Sequence, residues 1–200
     1  FLQTVLVLRK ERLKRSHEAA KITPDGYYYL SFMDSLPFEL TASQKNVFAQ
    51  IFKDTKNGHP MSRLLQGDVG SGKTVIALGL AAAGADGGIQ TGIMAPAEVL
   101  AEQLYSQTQK FLSPSGISCA LLKGGQARSE RIPLIGSIRD GRTKVVVGTH
   151  AMIQDGVEFL NLGTVIIDEQ QRFGVMQRGE MLSRGKTSHL LMMSATPIPR

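Results

Sequence analysis

The run Gly67-Asp68-Val69-Gly70-Ser71-Gly72-Lys73-Thr74 places glycines, a lysine and a hydroxyl at the spacing G-x-x-x-x-G-K-[ST], that of a phosphate-cradling loop. Gly67, Gly70 and Gly72 free the backbone to turn its N–H groups inward toward phosphate oxygens. The N-terminus of a following helix adds its positive dipole end. Lys73 supplies a point charge for the β- and γ-phosphates of a nucleotide, and the Thr74 hydroxyl is a ligand for Mg²⁺. A second motif, Thr164-Val165-Ile166-Ile167-Asp168-Glu169, is an apolar strand ending in two carboxylates. Asp168 can complete the Mg²⁺ shell begun by Thr74, and Glu169 can orient and deprotonate an attacking water. The alternative for the glycine run is a chance tight turn, and that for the carboxylates a solvated loop. Taken together they argue for phosphate chemistry.

Both motifs need strands that end on one edge. A short strand over Leu64–Gln66 precedes the glycine loop, and a helix follows from Lys73 to about Ala83. Further strands are expected at Thr91–Ala95, Ile117–Leu122, Lys144–Gly148, Thr164–Ile167 and His189–Met193. Helices are expected at Ala97–Leu112 and Ser129–Ile138. This alternation predicts an α/β fold, a parallel sheet covered by helices on both faces, in which ligands bind beyond the carboxyl ends of the strands. Thr41-Ala42-Ser43-Gln44 reads as a capping box opening a helix to about Lys56. Leu2, Val5 and Leu6 at helical spacing predict a helix over residues 1 to about 22. Thr23-Pro24-Asp25-Gly26 is a turn signal, and Tyr27–Phe32 reads as an extended piece or a short apolar patch. A domain boundary is placed at Leu36, so that 1–35 form a basic helical linker and 36–200 the nucleotide-binding domain.

The composition is that of a globular chain, 42% hydrophobic and 20% charged over 200 residues. A lone Cys119 excludes an internal disulfide framework and fits a reducing, cytoplasmic setting. No apolar run is long enough to span a bilayer, and the basic residues follow the apolar Phe1–Leu8 instead of preceding it, unlike a secretory signal. Of the net charge of +6, most sits in Arg9-Lys10-Glu11-Arg12-Leu13-Lys14-Arg15, which is either a solvated face or a contact for a polyanion such as DNA. The chain starts at Phe1 and stops just after an apolar strand, which reads as a piece of a longer protein.

Asp168-Glu169-Gln170-Gln171 resembles the D-E-x-x box of superfamily-two helicases. Ser194-Ala195-Thr196 resembles their third motif, which couples nucleotide state to nucleic-acid grip, and Leu36-Pro37-Phe38-Glu39-Leu40-Thr41 with Gln44 resembles their adenine-reading Q motif. The wider strings, Gly-Thr-His-Ala at 148–151 and Gln-Arg-Phe-Gly-Val at 171–175 among them, are similar to the RecG family of bacterial ATP-dependent DNA helicases over roughly residues 36–200.

The resemblance implies a RecA-like P-loop lobe that uses ATP and Mg²⁺. It implies that Gln44 reads adenine, that Phe38 packs on the base and that Gln171 lies in the nucleotide site; the capping box is the alternative role for Thr41 and Gln44. It assigns DNA-backbone contacts to Pro96, Ala97 and Gln103, to Thr149 and His150, and to Gly124 and Gly125, with an ordinary turn or loop histidine as the alternatives for the last two groups. Implied partners are branched or duplex DNA, a second RecA-like lobe and a DNA-wedge domain of the same full-length chain, with no membrane. The implied activity is remodelling of stalled forks and Holliday junctions in repair and recombination, with this segment alone binding MgATP but hydrolysing it very slowly. Two positions depart from the family pattern: Gln171 stands where His is usual, and Ala97 where Thr is common. Gln171 is shared with transcription-repair coupling factors, an alternative that Gln170 and Ser71 disfavour. A non-catalytic nucleotide- or DNA-binding module is a second alternative. A small-molecule kinase is argued against by Ser194-Ala195-Thr196-Pro197.

Overall fold

Runs such as Val145-Val146-Val147 have no polar face, so both sides of any sheet they join must be covered. The computed structural model describes the backbone of residues 7–10 and residues 19–185 and 188–195, apart from the side chains at 175 and 178. Among the described residues are seven strands, β1 (Val7–Lys10), β2 (Ser62–Gln66), β3 (Gln90–Met94), β4 (Cys119–Leu122), β5 (Val145–Gly148), β6 (Leu162–Ile167) and β7 (His189–Ser194). The same residues hold six α-helices, α1 (Tyr27–Asp34), α2 (Ala42–Thr55), α3 (Lys73–Asp86), α4 (Glu98–Leu112), α5 (Arg128–Arg139) and α6 (Val175–Ser183). The sheet order is β1-β2-β7-β6-β3-β5-β4, parallel from β2 to β4, with β1 antiparallel on the edge. All six parallel strands therefore point their carboxyl ends to one edge, as the alternating pattern predicts.

The pleat sends successive side chains to opposite faces and so makes two cores. Leu65, Ile93, Val145, Val147, Ile166, Leu191 and Met193 face the layer of α1 to α4. Leu64, Met94, Val146, Val165, Ile167, Leu190 and Met192 face Ile138 of α5 and Met181 and Leu182 of α6. Helix α3 is buried all round from Val75 to Ala85, which its small residues permit. A Cβ on Gly79 would lie 2.5 Å from the Phe48 ring of α2. Ile22, Tyr29 and Phe32 share this core with α2 and α3. Among the described residues no helix is long and apolar enough to cross a membrane.

Two expectations at the N-terminal end require correction. The helix expected over residues 1 to 22 is not formed at Val7–Lys10, which are strand; residues 1–6 and 11–18 lie outside the described residues. Strand β2 would otherwise leave its edge N–H and C=O groups unpaired, and pairing with β1 satisfies them. Three helically spaced apolar residues, one of them β-branched, are too weak a signal to compete. Tyr27–Asp34 is a helix, not an extended piece. Its N-cap is Gly26, which has no side chain to offer. The Asp86 carboxylate at the end of α3 accepts from the Tyr28 and Tyr29 N–H groups at 2.8 and 3.0 Å and caps α1 from outside. Helix α6 was not anticipated.

His189 pins the first strand residue of β7 to two other segments. Its Nδ1 accepts from the Met61 N–H at 3.1 Å, and its Nε2 meets the Ala20 carbonyl at 2.7 Å, so the neutral ring with the proton on Nε2 satisfies both. Burial is the main cause that holds its pKa below the ordinary 6.5; the Ala20 carbonyl and Asp54 oppose it. The unfolded chain thus binds the proton first. The stability from neutral His189 is complete above about pH 6.5 and is lost as pH falls toward the lower folded value. We expect the stability gap between the native chain and His189→Gln to narrow as pH drops from about 7.5 to 5, as denaturant melts at each pH would report. A gap independent of pH would remove the buried neutral imidazole from this account.

Candidate functional site

The phosphate loop leaves β2 and enters α3 as its residue types require. Gly70 and Gly72 adopt φ of 81° and 85°, the left-handed region that glycine reaches without strain. Gly72 has a second reason to be glycine, because a Cβ there would lie 2.2 Å from the Gln44 Nε2. Asp68, Val69 and Gly70 are exposed at the loop crest, and Thr74 is half-buried in the first turn of α3. The Lys73 Nζ donates to the Gly67 and Asp68 carbonyls at 2.7 and 2.9 Å, folding back over the loop that it would share with phosphate. Burial draws its pKa below the ordinary value, against the charges of Asp168, Glu169 and Asp68. The Ser71 hydroxyl is buried with no partner.

Gln44 is built into this loop. Its side-chain oxygen accepts from the Thr41 N–H at 2.9 Å while its own N–H donates to the Thr41 hydroxyl at 3.2 Å, the full capping box. Its Nε2 donates to the Ser71 carbonyl at 3.1 Å. The capping role is thus present, and the same amide ties the start of α2 to the phosphate loop. Phe38 is 45% exposed, with its ring edge-on to Phe111. It walls an apolar cavity of about 710 Å³ between α1 and α2, together with Tyr29, Met33, Leu40 and Phe48.

Asp168 and Glu169 follow β6. Burial first, then the Glu169 charge, raises the Asp168 pKa; the Glu169 N–H at 3.0 Å and Lys73 oppose the rise. Such a carboxylate gains from a nearby cation. Among the described residues no three His, Cys, Asp or Glu side chains cluster to hold a metal unaided. The Asp168 carboxylate and the Thr74 hydroxyl are oxygen donors of the type that Mg²⁺ takes alongside water and phosphate oxygens. Glu169 has φ 50° and ψ 53°, the only non-glycine in the left-handed region among the described residues. Strain of this kind, roughly 1–2 kcal/mol, persists where surrounding contacts hold it.

Strand β7 lies between β2 and β6, so the third motif stands between the first two. The Gly67 N–H donates to the Ser194 carbonyl at 3.2 Å. The Ser194 hydroxyl donates to the Gln171 side-chain oxygen at 3.2 Å, and the Gln171 amide donates to the Glu169 carboxylate. Gln171 thereby links the carboxylate to the end of β7. Ala195 is half-buried, and Thr196 lies outside the described residues.

The other half of the same edge carries the remaining residues. Pro96 and Ala97 follow β3, and Ala97 occupies the N-cap of α4 without a capping side chain. Gln103 is exposed on α4. Gly124 and Gly125 turn the chain after β4, Gly125 at φ 67°, while the neighbouring Lys123 is ion-paired with Glu102. Thr149 is 2% exposed, and its hydroxyl accepts from the Ala151 N–H at 3.4 Å, so it caps a 3-10 turn over His150–Ile153. His150 is exposed beside it. Sequence reasoning missed Gln126 and Arg131, which hold these loops and carry no motif of their own.

Comparison with known proteins adds the family. A family model described as DEAD/DEAH box helicase matches residues 41–200. The ATP-dependent DNA helicase RecG of Aquifex aeolicus is 45% identical over all of this chain, which covers 25% of that protein. The RecG of Thermotoga maritima is 47% identical over 96% of this chain and 24% of its own length. The chain thus spans about a quarter of these relatives. A solved structure of RecG bound to a three-way DNA junction aligns at TM-score 0.78 and 44% identity, covering 92% of this chain and 24% of that one. The yeast DEAD-box splicing factor Prp28, at 17% identity, TM-score 0.69 and coverage of 97% of this chain and 50% of its own, shares the fold. A match that runs from the cap of α2 to the last residue supports one conclusion: this chain belongs to the DEAD/DEAH box helicase family.

Proposed function

We propose that this chain is the first motor lobe of a RecG-type ATP-dependent DNA helicase or translocase, acting in the cytoplasm on branched or duplex DNA. The observation that carries the reading is the convergence of Gly67–Thr74, Asp168–Glu169 and Ser194 on three adjacent strand ends, with the 96–97, 124–125 and 149–150 loops on the other half of one edge. A single edge can then hold nucleotide and nucleic-acid backbone side by side. The RecG relatives, one solved on a three-way junction, favour branched DNA such as stalled forks and Holliday junctions, in repair and recombination. They extend well beyond this length, which leaves room in a full-length protein for a second RecA-like lobe and a DNA wedge. The expected boundary at Leu36 falls inside the lobe, because Ile22 and Phe32 belong to its core and Val7–Lys10 add a strand to its sheet.

In this reading Lys73 and the loop N–H groups bind the β- and γ-phosphates, and Thr74 and Asp168 hold Mg²⁺. Bound Mg²⁺ supplies charge neutralisation for phosphoryl transfer. Glu169 accepts the proton of the attacking water. Gln171 fixes the orientation of that carboxylate and reports on Ser194. Phe38 packs on the base. The exposed backbone at Ala97, Gly125 and His150 faces DNA phosphate.

Three measurements test this. Lys73→Ala loses one charge-assisted contact, so MgATP should bind about 10- to 100-fold more weakly in a fluorescent-nucleotide titration at unchanged melting temperature. Unaltered binding would sink the phosphate assignment. DNA affinity should fall linearly on log–log axes with salt, as phosphate contacts require; a flat dependence would exclude them. Gln171→Ala cuts the link from Glu169 to Ser194, and DNA-stimulated turnover of the full-length protein should drop about tenfold, the worth of roughly one hydrogen bond. Turnover at the native level would leave that link without a catalytic role.

A further inference from the structure

Two of the loops assigned above to DNA phosphate are joined by one side chain that touches neither strand end. Arg131 lies in the first turn of α5, half-buried. Its NH1 donates to the Lys123 carbonyl at 3.4 Å, at the start of the Gly124–Gly125 turn after β4. Its NH2 donates to the Gln154 side-chain oxygen at 3.1 Å, where the 3-10 turn after β5 ends.

Both anchor points are themselves held. Gln126 closes the first loop: its side-chain oxygen accepts from the Lys123 N–H at 3.1 Å, and its amide donates to the Leu121 carbonyl at 3.1 Å. In the second loop, the Arg184 guanidinium donates to the Val157 carbonyl at 2.7 Å and to the Gln154 carbonyl at 3.3 Å, and also to the Ile153 carbonyl. Gln154 is therefore a post with a fixed base. The planar fork of arginine can reach two acceptors in set directions, which an ammonium cannot do from one position. Both guanidinium nitrogens that bond are engaged with protein acceptors.

We propose that Arg131 is a positioning residue: a brace that sets the spacing between the 123–126 and 149–154 loops so that both meet one nucleic-acid backbone at once. This rests on the reading that these loops face DNA phosphate. Preorganising two contacts of a single groove raises affinity without adding a phosphate contact.

The experiment combines two readouts on the full chain, with Arg131→Ala, Arg131→Lys, Gln154→Ala and the double variant. Without DNA, hydrogen exchange should speed up in both loops in Arg131→Ala and mainly in 149–154 in Gln154→Ala. With a fluorescein-labelled forked duplex, affinity should fall about tenfold in Arg131→Ala, the scale of a charge-assisted hydrogen bond. Arg131→Lys should not restore it. The double variant should be no worse than Arg131→Ala alone, since one interaction is removed twice. The log–log salt slope and the nucleotide affinity should stay as in the native chain. A slope shallower by about 0.9 in Arg131→Ala, with Gln154→Ala silent, would make Arg131 a direct phosphate contact and overturn the brace. Unchanged exchange in both loops would overturn it whatever DNA does. Loosened loops in a chain whose native form binds the duplex without salt dependence would instead refute the DNA reading, and the positioning role with it.

Discussion

The insertion of β7 between β2 and β6 is the constraint on which the site depends. Every residue of β7 is buried, so the strand cannot serve at an edge. Its register sets Ser194 beside Gln66 and Met192 beside Ile167. Neighbouring strands lie about 4.8 Å apart, so the phosphate loop and the acidic pair start roughly 10 Å from each other with Ser194 between them. No side chain chooses that distance. The apolar run Leu190–Met193 chooses it, by demanding a place inside the sheet.

Within this frame, two charged groups beside the phosphate loop, Lys73 and Asp168, are less well solvated than they would be in water. Burial lowers the Lys73 pKa and raises that of Asp168, and each partly offsets the other. Lys73 meanwhile takes up two loop carbonyls, and Asp168 takes the N–H of its neighbour. In the proposed reading, a triphosphate with a divalent ion would bring the opposite charge to each, where burial has already weakened competition from water. The left-handed Glu169 fits the same pattern: its backbone is set by the turn that follows, and its carboxylate by Gln171.

The motifs' places in the fold were legible because they are local. The phosphate loop, the strand before the acidic pair and the capping box at Thr41 each depend on residues within a few positions, and all three lie where their spacing put them. The parallel α/β fold followed from alternation for the same reason. What escaped was bonded at long range. Helix α1 is capped by Asp86, 58 residues from Tyr28. Strand β1 exists because β2 has a free edge, which no window around residue 7 can display. Gln44 matched two motifs at once, and only the position of Ser71 places its amide on the loop. Arg131 sits in a helix with several arginines, and nothing in its neighbours distinguishes it from the exposed Arg128.

The loops of the whole edge begin with backbone hydrogen bonds that continue the sheet past its formal ends. Gly67 donates to Ser194, Asp168 to Met94, Ala95 to Gly148 and Thr149 to Leu122, at 3.2, 2.9, 2.8 and 3.2 Å. Main chain therefore fixes the points of departure of these loops, and sliding the β2-β7-β6 half of the edge against the β3-β5-β4 half would break the Asp168–Met94 bond at their seam. Above that floor stand the Glu169–Gln171–Ser194 link on one side and the Arg131–Gln154 bond on the other, and in the proposed reading these are what a signal between nucleotide and nucleic acid would pass through. The main-chain floor supplies position, and the side chains above it carry bonds that can be exchanged without disturbing it.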